Sequence, residues 1–363
     1  MPQIHSNRRK ALALRLPERG ADAALVTRLV NVRYLTGLAS SNAALLVRAD
    51  GAAVLATDGR YGTAAAQVAP DLELAVERRV GPALAERAAA DGPVRLAVEE
   101  GDVTLALAAE LTKAVGSGEL LHLGGVVEEL RSVKDDEELA LLAEACAISC
   151  RALEGLWAAG GMIGRTEKQV ARDLENRMYH QGADALAFET IVASGPNSAI
   201  PHHRPTERVL RRGDLVKIDF GAQYRGYHAD CTRTVVVGAP PADWQREVYE
   251  LVAEAQRAGR EAVAPGVECL AVDEASRGPI RAAGHAAHFT HGTGHGVGLE
   301  VHEAPTLGYS STGRLADRMP VTVEPGVYLP GRGGVRIEDT LVVRDAGPEL
   351  LTTTTRDLLV LDA

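Results

Sequence analysis

DLVKIDFGAQYRGYHADCTRTVVV, residues 214–237, contains two apolar strands that each carry an aspartate. The pattern predicts strands from Leu215 to Phe220 and from His228 to Val237, joined through Gly221 to Gly226 as a hairpin-like link. Asp219 and Asp230 are each expected inside an otherwise apolar or β-branched strand. An ionised carboxylate buried in a strand is costly unless it is paired or bound to a cation. Two of them brought together across a hairpin also repel. A divalent cation between them removes both problems; the plainer alternative is that one of them is a turn or edge residue.

The same oddity recurs downstream. In VTVEPGVYLP (321–330), Glu324 ends a strand-like run before Pro325-Gly326. In GGVRIEDTLVV (333–343), Glu338 is expected inside a strand, with Arg336 on the same face by the period of two. Asp339 then faces the other way and reads as structural support. Between these acids and the first pair lies THGTGHGVGLEVHE (290–303), with His291, His295 and His302 among four glycines. That glycine content excludes a stable helix, so His291 and His295 are not a helical zinc pair. Glycines there are expected to let the backbone approach a ligand closely. Asp219, Asp230, Glu324 and Glu338 with one histidine make an oxygen-rich set. Its charge matches two divalent ions, which ~3.5–4 Å apart can hold a bridging water as hydroxide. Such a set suits Mn2+, with Zn2+, Co2+ and Fe2+ as alternatives.

Around this centre the chain reads as two domains, 1–130 and 131–363. Residues 1–130 alternate apolar strands (Ala21–Thr27, Ala43–Val47, Ala52–Ala56, Val94–Glu99) with helical segments, an α/β layer domain. Asp50-Gly51 marks a turn, and Val103 to Val115 a helix closed by Gly116. No phosphate-binding glycine loop occurs there, and Arg60-Tyr61 read as structural. A boundary falls near 124–134, after which Asp135 to Glu138 place negative charge on a helix start. Helices are expected from there, from Thr166 to about Gln181, through Trp244 to Ala255, and from Val267 to Ala283. They mix with strands without strict alternation, which gives an α+β second domain.

The 363 residues carry a net charge of −10. Residues 1–130 hold 14 basic and 16 acidic side chains, the remainder 25 and 33, so the acids concentrate in the second domain. This balance disfavours nucleic-acid binding. No apolar run approaches a membrane span, and the short run Ala11 to Leu14 is too brief for a secretory signal, so a cytoplasmic protein is expected. Four cysteines make no disulfide scaffold, and Cys146 and Cys150 read as core thiols.

DFGAQYRGYHADCTRT, HGTGHGVGLEVHE, VEPGVY and VRIEDT together resemble the signature blocks of the M24 metallopeptidases, the pita-bread fold. YLTGLASSNAALLV (34–47), SGPNSAIPHHRP (194–205) and the leading domain are similar to the proline-specific branch, Xaa-Pro aminopeptidase and Xaa-Pro dipeptidase (prolidase). The resemblance implies an α/β domain of creatinase/prolidase N-terminal type followed by a pita-bread catalytic domain. It implies that Asp219 binds one metal, Asp230 and Glu338 bridge, and His295 and Glu324 bind the second. By the same resemblance His202 steadies the peptide and leaving nitrogen, with His203 as the competing choice. His291 lines the proline pocket, His302 bonds the scissile carbonyl, Arg336 closes the site beside Glu338, and Glu324 shuttles the proton.

The substrates implied are short peptides with proline second, cut by a homodimer whose first domain restricts access. The aminopeptidase reading is preferred over the dipeptidase. The latter needs a cation for the proline carboxylate, for which Arg204 and Arg332 are candidates; Tyr328 is a further site candidate. The leading domain argues against a methionine aminopeptidase. The intact ligand set argues against creatinase and against an inactive binding module.

Overall fold

The computed structural model describes residues 2–362. It divides into two compact units, Met1–Arg131 and Ser132–Ala363.

The first unit is a six-stranded sheet with helices. Its strands are β1 (Ala23–Val26), β2 (Ala43–Arg48), β3 (Ala53–Thr57), β4 (Glu73–Val76), β5 (Arg95–Val98) and β6 (Glu119–His122), in the order β4-β3-β2-β1-β5-β6. The β2–β3 pair is antiparallel across Asp50-Gly51, and β1 runs parallel to β5 and β5 to β6. Helices α1 (Pro2–Arg15), α2 (Leu29–Thr36), α3 (Gly62–Val68), α4 (Val80–Ala88) and α5 (Leu105–Val115) accompany it. Thr104 caps α5, its hydroxyl accepting from the Leu107 amide. Leu84, Ala85, Leu111 and Val115 of α4 and α5 bury against Leu25, Leu46 and Leu96 of the sheet. The division between the units falls within α6 (Val126–Ser132).

The second unit has four long helices: α7 (Asp136–Ala159), α8 (Glu167–His180), α9 (Asp243–Ala262) and α10 (Cys269–Ala282). Reciprocal capping boxes start the first two, Asp135 with Glu138 and Thr166 with Gln169. The strands are β7 (Ala185–Leu186), β8 (Ile191–Ser194), β9 (Leu215–Phe220), β10 (Ala222–Tyr224), β11 (Tyr227–His228), β12 (Cys231–Val237), β13 (Gly294–Gly296), β14 (Glu303–Leu307), β15 (Pro320–Val323), β16 (Gly326–Leu329), β17 (Gly333–Arg336), β18 (Asp339–Val342), β19 (Glu349–Leu350) and β20 (Val360–Leu361). The two larger sheets run β20-β12-β9-β8 and β14-β13-β15-β18-β19.

Strand alternation decides which side chains reach the interior between the helix layers. On β9, Val216, Ile218 and Phe220 pack with Leu153, Leu156, Val170 and Leu174 of α7 and α8. The intervening Lys217 and Asp219 therefore share the opposite face. On β12, Cys231, Val235 and Val237 join that same helix-facing core, and Thr232 and Thr234 turn towards Glu338 and the Arg336 carbonyl. The α9–α10 layer buries Val248, Val252, Ala255 and Ile280 against Val327, Val335 and Ile337.

Three local expectations need correction. Residues 335–343 are not one strand: β17 pairs with β16, and β18 with β15. Ile337 and Glu338 lie at the crossing, and the Glu338 amide donates to the Thr232 carbonyl (3.1 Å). The cause is Glu324-Pro325, which interrupts the partner run between β15 and β16. Asp230 lies just before β12 rather than inside it, because β10 and β11 form their own small hairpin in the connection. The glycines around His295 serve the sheet rather than a ligand. A Cβ on Gly294 would stand 2.0 Å from the Thr322 carbonyl oxygen, and one on Gly296 2.2 Å from that of Ala304. Only glycine lets β13 fit between β14 and β15.

Candidate metal centre

Asp219, Asp230, His295, Glu324 and Glu338 line one cleft of the second unit, of about 830 Å³ counted out to its open mouth. Phe188, Glu189, Ile191, His202, His203, Arg204, Val301 and His302 complete its wall. The five come from separate places: β9, the link before β12, β13, the end of β15, and the β17–β18 crossing. Ligand atoms of Asp230, His295 and Glu338 all lie within 4.8 Å of one another. His295 Nε2 is 3.6 Å from Asp230 Oδ2 and 3.4 Å from Glu324 Oε1.

Electrostatics make this cluster unstable as a set of bare charges. Burial, then the neighbouring Glu338, Asp219 and Glu324, push Asp230 well above the carboxylate range. Burial, Glu324 and Asp219 do the same to Glu338, and burial lifts Glu324 to about 8. Burial, then His302, pushes His295 down to about 4, so it is a neutral imidazole at neutral pH. Asp219 Oδ1 and Glu338 Oε1 are buried without a hydrogen-bond partner. Orphaned carboxylate oxygens that converge with a neutral imidazole fit divalent cations of the Mn2+ or Zn2+ kind.

Arg336 is fully buried beside this cluster. Its guanidinium bonds Asp219 Oδ2, the Tyr328 hydroxyl (2.8 Å) and Thr232 Oγ1 (3.1 Å), and lies 3.9 Å from Glu324. It therefore touches the acids from behind and does not line the cleft. Thr232 Oγ1 also donates to Glu338 Oε2 (2.7 Å), fixing that carboxylate. Asp339 points away, held by Arg233, Arg356, Gln256 and Thr352.

Among the histidines, His202 and His302 face the cleft and are exposed. The His302 ring packs edge-on to His295, centroids 4.3 Å apart. His203 also reaches the cleft wall but is buried and held on Glu167 (2.8 Å), whereas His202 is exposed to the cleft. His291 is not brought to the cleft wall. Its Nε2 meets the Tyr328 hydroxyl (2.8 Å), and its Nδ1 lies 2.8 Å from the Gly292 carbonyl. Tyr328 thus bridges His291 and Arg336 behind the site. Arg204 stands at the cleft mouth, 3.1 Å from Glu189. Arg332 is in another cleft, its guanidinium stacked 4.3 Å over Trp244. All four cysteines are free and buried.

Sequence reasoning missed three supports. Lys217, two residues before Asp219 on the same strand face, is wholly buried and donates to the Ile200 (2.6 Å) and Pro201 (3.1 Å) carbonyls. Its charge inside an apolar strand was the available signal. Glu167, which falls within the helix expected from Thr166, is buried under the His202 loop. Glu303, next to His302, takes a buried ion pair from Lys134 (2.9 Å).

If His302 bonds the scissile carbonyl, as the M24 resemblance implies, its replacement by alanine is expected to lower kcat by about 10²-fold, the cost of one lost oxyanion donor, with bound metal unchanged. Steady-state kinetics with metal analysis checks this; loss of metal instead would mean that His302 and His295 have exchanged roles.

No helix among the described residues is long and apolar enough to cross a membrane. Comparison with known proteins supplies a match to metallopeptidase family M24 over residues 140–345 and to the creatinase/prolidase N-terminal domain over 8–133. An Xaa-Pro dipeptidase of Pyrococcus furiosus is 40% identical over 262 residues, 72% of this chain and 74% of that protein. The structure of an Xaa-Pro dipeptidase from Bacillus anthracis superposes with a TM-score of 0.94 at 36% identity, covering 98% of this chain and 100% of that one. An X-Pro aminopeptidase from Thermotoga maritima superposes at 0.88 with 35% identity, covering 98% and 99%.

Proposed function

This chain belongs to metallopeptidase family M24, with a creatinase/prolidase-type domain followed in sequence by a pita-bread catalytic unit, and we propose that it hydrolyses the Xaa-Pro bond of dipeptides at a dinuclear metal centre. The observation that carries the dipeptide reading is Arg204. Among the described residues it is the only arginine or lysine lining the cleft, and so the cation available to a proline carboxylate. The names of the P. furiosus and B. anthracis relatives support the same reading.

Asp219, Asp230, His295, Glu324 and Glu338 are the residues that would hold the two ions. Bound divalent cations supply Lewis-acid polarisation of a carbonyl and a water of lowered pKa. The protein's own groups do the rest. His302 donates to the carbonyl oxygen as charge develops on it. His202, which also lines the cleft, steadies the peptide. Glu324, in the cleft and 3.4 Å from His295, is placed to hold a proton and release it to the departing proline nitrogen. Arg336 holds the Asp219 carboxylate in orientation through its hydrogen bond to Oδ2. The Xaa-Pro amide has no N–H to grip, so recognition falls to the ring and the carboxylate.

A second reading, the Xaa-Pro aminopeptidase, has its own observation: Glu189 already pairs with Arg204, so no free positive charge demands a carboxylate. The T. maritima relative bears that name. The test is to strip the protein with chelator, restore Mn2+, and follow an Xaa-Pro dipeptide and an Xaa-Pro-Xaa tripeptide by mass. Faster cleavage of the dipeptide supports the first reading, and faster removal of the first residue of the tripeptide the second. Cleavage of neither with Mn2+, Co2+ or Zn2+ refutes both. Arg204→Ala is expected to raise KM for the dipeptide about tenfold, the equivalent of ~1.4 kcal/mol, and to leave the tripeptide within about twofold. Equal effects on both substrates would remove Arg204 from the carboxylate role.

A further inference from the structure

The loop from Gly195 to Thr206, which follows Ser194 at the end of β8, has one short 3-10 turn, Gly195–Ala199, and otherwise no regular structure. His202 sits on it, facing the cleft. A loop of this kind is expected to be mobile unless something fixes its backbone. Both flanks of this one are tied by the same carboxylate.

Glu167, the first residue of α8, is wholly buried beneath the loop. Its Oε1 accepts from the Ser194 amide (2.8 Å), the Ser194 hydroxyl (2.8 Å) and Asn197 Nδ2 (3.0 Å). Its Oε2 accepts from the Thr206 amide (2.9 Å) and hydroxyl (2.7 Å), and lies 2.8 Å from His203 Nε2. One oxygen therefore clamps the segment entering the loop and the other clamps the segment leaving it. From the opposite side Lys217 takes the Ile200 and Pro201 carbonyls, and Arg336 also reaches Pro201 (3.2 Å). Lys217 and Arg336 are the groups that neighbour and bond Asp219. The backbone on either side of His202 is thus tied to the strand that carries a metal-site acid.

Apolar packing would hold such a loop less specifically. Directed bonds to an ionised carboxylate admit one arrangement of the loop, because every displaced donor leaves a buried group unpaired. We propose that Glu167 is a positioning residue of the reaction, acting through His202 by clamping both flanks of its loop. This rests on the reading that gives His202 a part in hydrolysis.

A double-mutant cycle tests it, with Mn2+-loaded protein and an Xaa-Pro dipeptide or tripeptide, whichever is cleaved. Glu167→Gln keeps the shape but turns an NH2 towards donors on one flank. In the parent background it is expected to lower kcat by about 10–100-fold, the usual range for a supporting contact, with KM within about threefold and metal content unchanged. In a His202→Ala background the same substitution is expected to cost less than about twofold, since the residue it positions is gone. An equal loss in both backgrounds overturns the positioning role and leaves the function of His202 intact. A His202→Ala protein with parental kcat and KM overturns the role of His202, and the positioning proposal with it. Should Glu167→Gln fail to fold, Thr206→Val removes one donor of the same clamp and enters the same cycle with the same criteria.

Discussion

Asp230→Ala is expected to lose bound metal and peptidase activity together. Asp230 lies within reach of both His295 and Glu338 and is only 5% exposed. Its removal takes a charge from a set that needs cations to exist as charges at all. The substitution also has a second, opposite signature. In metal-free protein Asp230 is a buried acid crowded by Glu338, Asp219 and Glu324. Deleting it relieves that crowding, so chelator-treated Asp230→Ala is expected to melt no lower than chelator-treated parent. Adding Mn2+ should then raise the melting temperature of the parent alone. At ~100-fold excess over its dissociation constant a single ion adds about 2.7 kcal/mol. That corresponds to several degrees at ~2–4 °C per kcal/mol for a unit of this size. Metal analysis and paired thermal scans read both effects. Wild-type turnover in the variant would falsify the two-metal reading.

The stability of the metal-free protein should fall as pH rises. Glu324 titrates near its ordinary 4.5 in the unfolded chain and at about 8 when folded. Between these values the folded state holds a proton that the unfolded chain releases. The stabilisation is complete below 4.5 and is lost as pH climbs through about 8. Asp230 and Glu338 are raised as well and act in the same direction. His295, lowered to about 4 from 6.5, acts oppositely below 6.5, so the decline should be clearest above that pH. The loss is on the order of a few kcal/mol. With saturating Mn2+ the sign reverses, because binding displaces those protons and strengthens with pH. Thermal denaturation from pH 5 to 8, with chelator and with Mn2+, checks both slopes; a metal-free protein more stable at pH 8 than at pH 6.5 contradicts the buried-acid account.

The acids of the centre were legible because each stands in or against an apolar or β-branched run, where a bare buried charge is costly. Helix starts at Asp135 and Thr166 were legible from their capping residues. The crossing at Ile337-Glu338 was not, since no glycine or proline between Val335 and Val343 marks a change of sheet. Nor was the purpose of Gly294 and Gly296: close approach to a ligand and to a neighbouring strand leave the same trace. The supports were hardest. Glu167 lies far along the chain from the loop it clamps, and its own sequence position shows only an acid at a helix start. His202 and His203 could be separated only once one of them was found buried on that acid.

The Lys134–Glu303 pair has a consequence for how the protein is made. Its members are 169 residues apart and both nearly inaccessible in the finished fold. At ~5–20 residues per second, translation of that interval takes about 8 to 34 seconds. Throughout it the lysine has been synthesised and its counter-charge has not. The catalytic unit therefore cannot close around Lys134 as it emerges; it must keep its opening segment solvated until the histidine-rich stretch follows. The first unit, Met1–Arg131, depends on no such delayed partner for its sheet and can assemble while the remainder is still being translated.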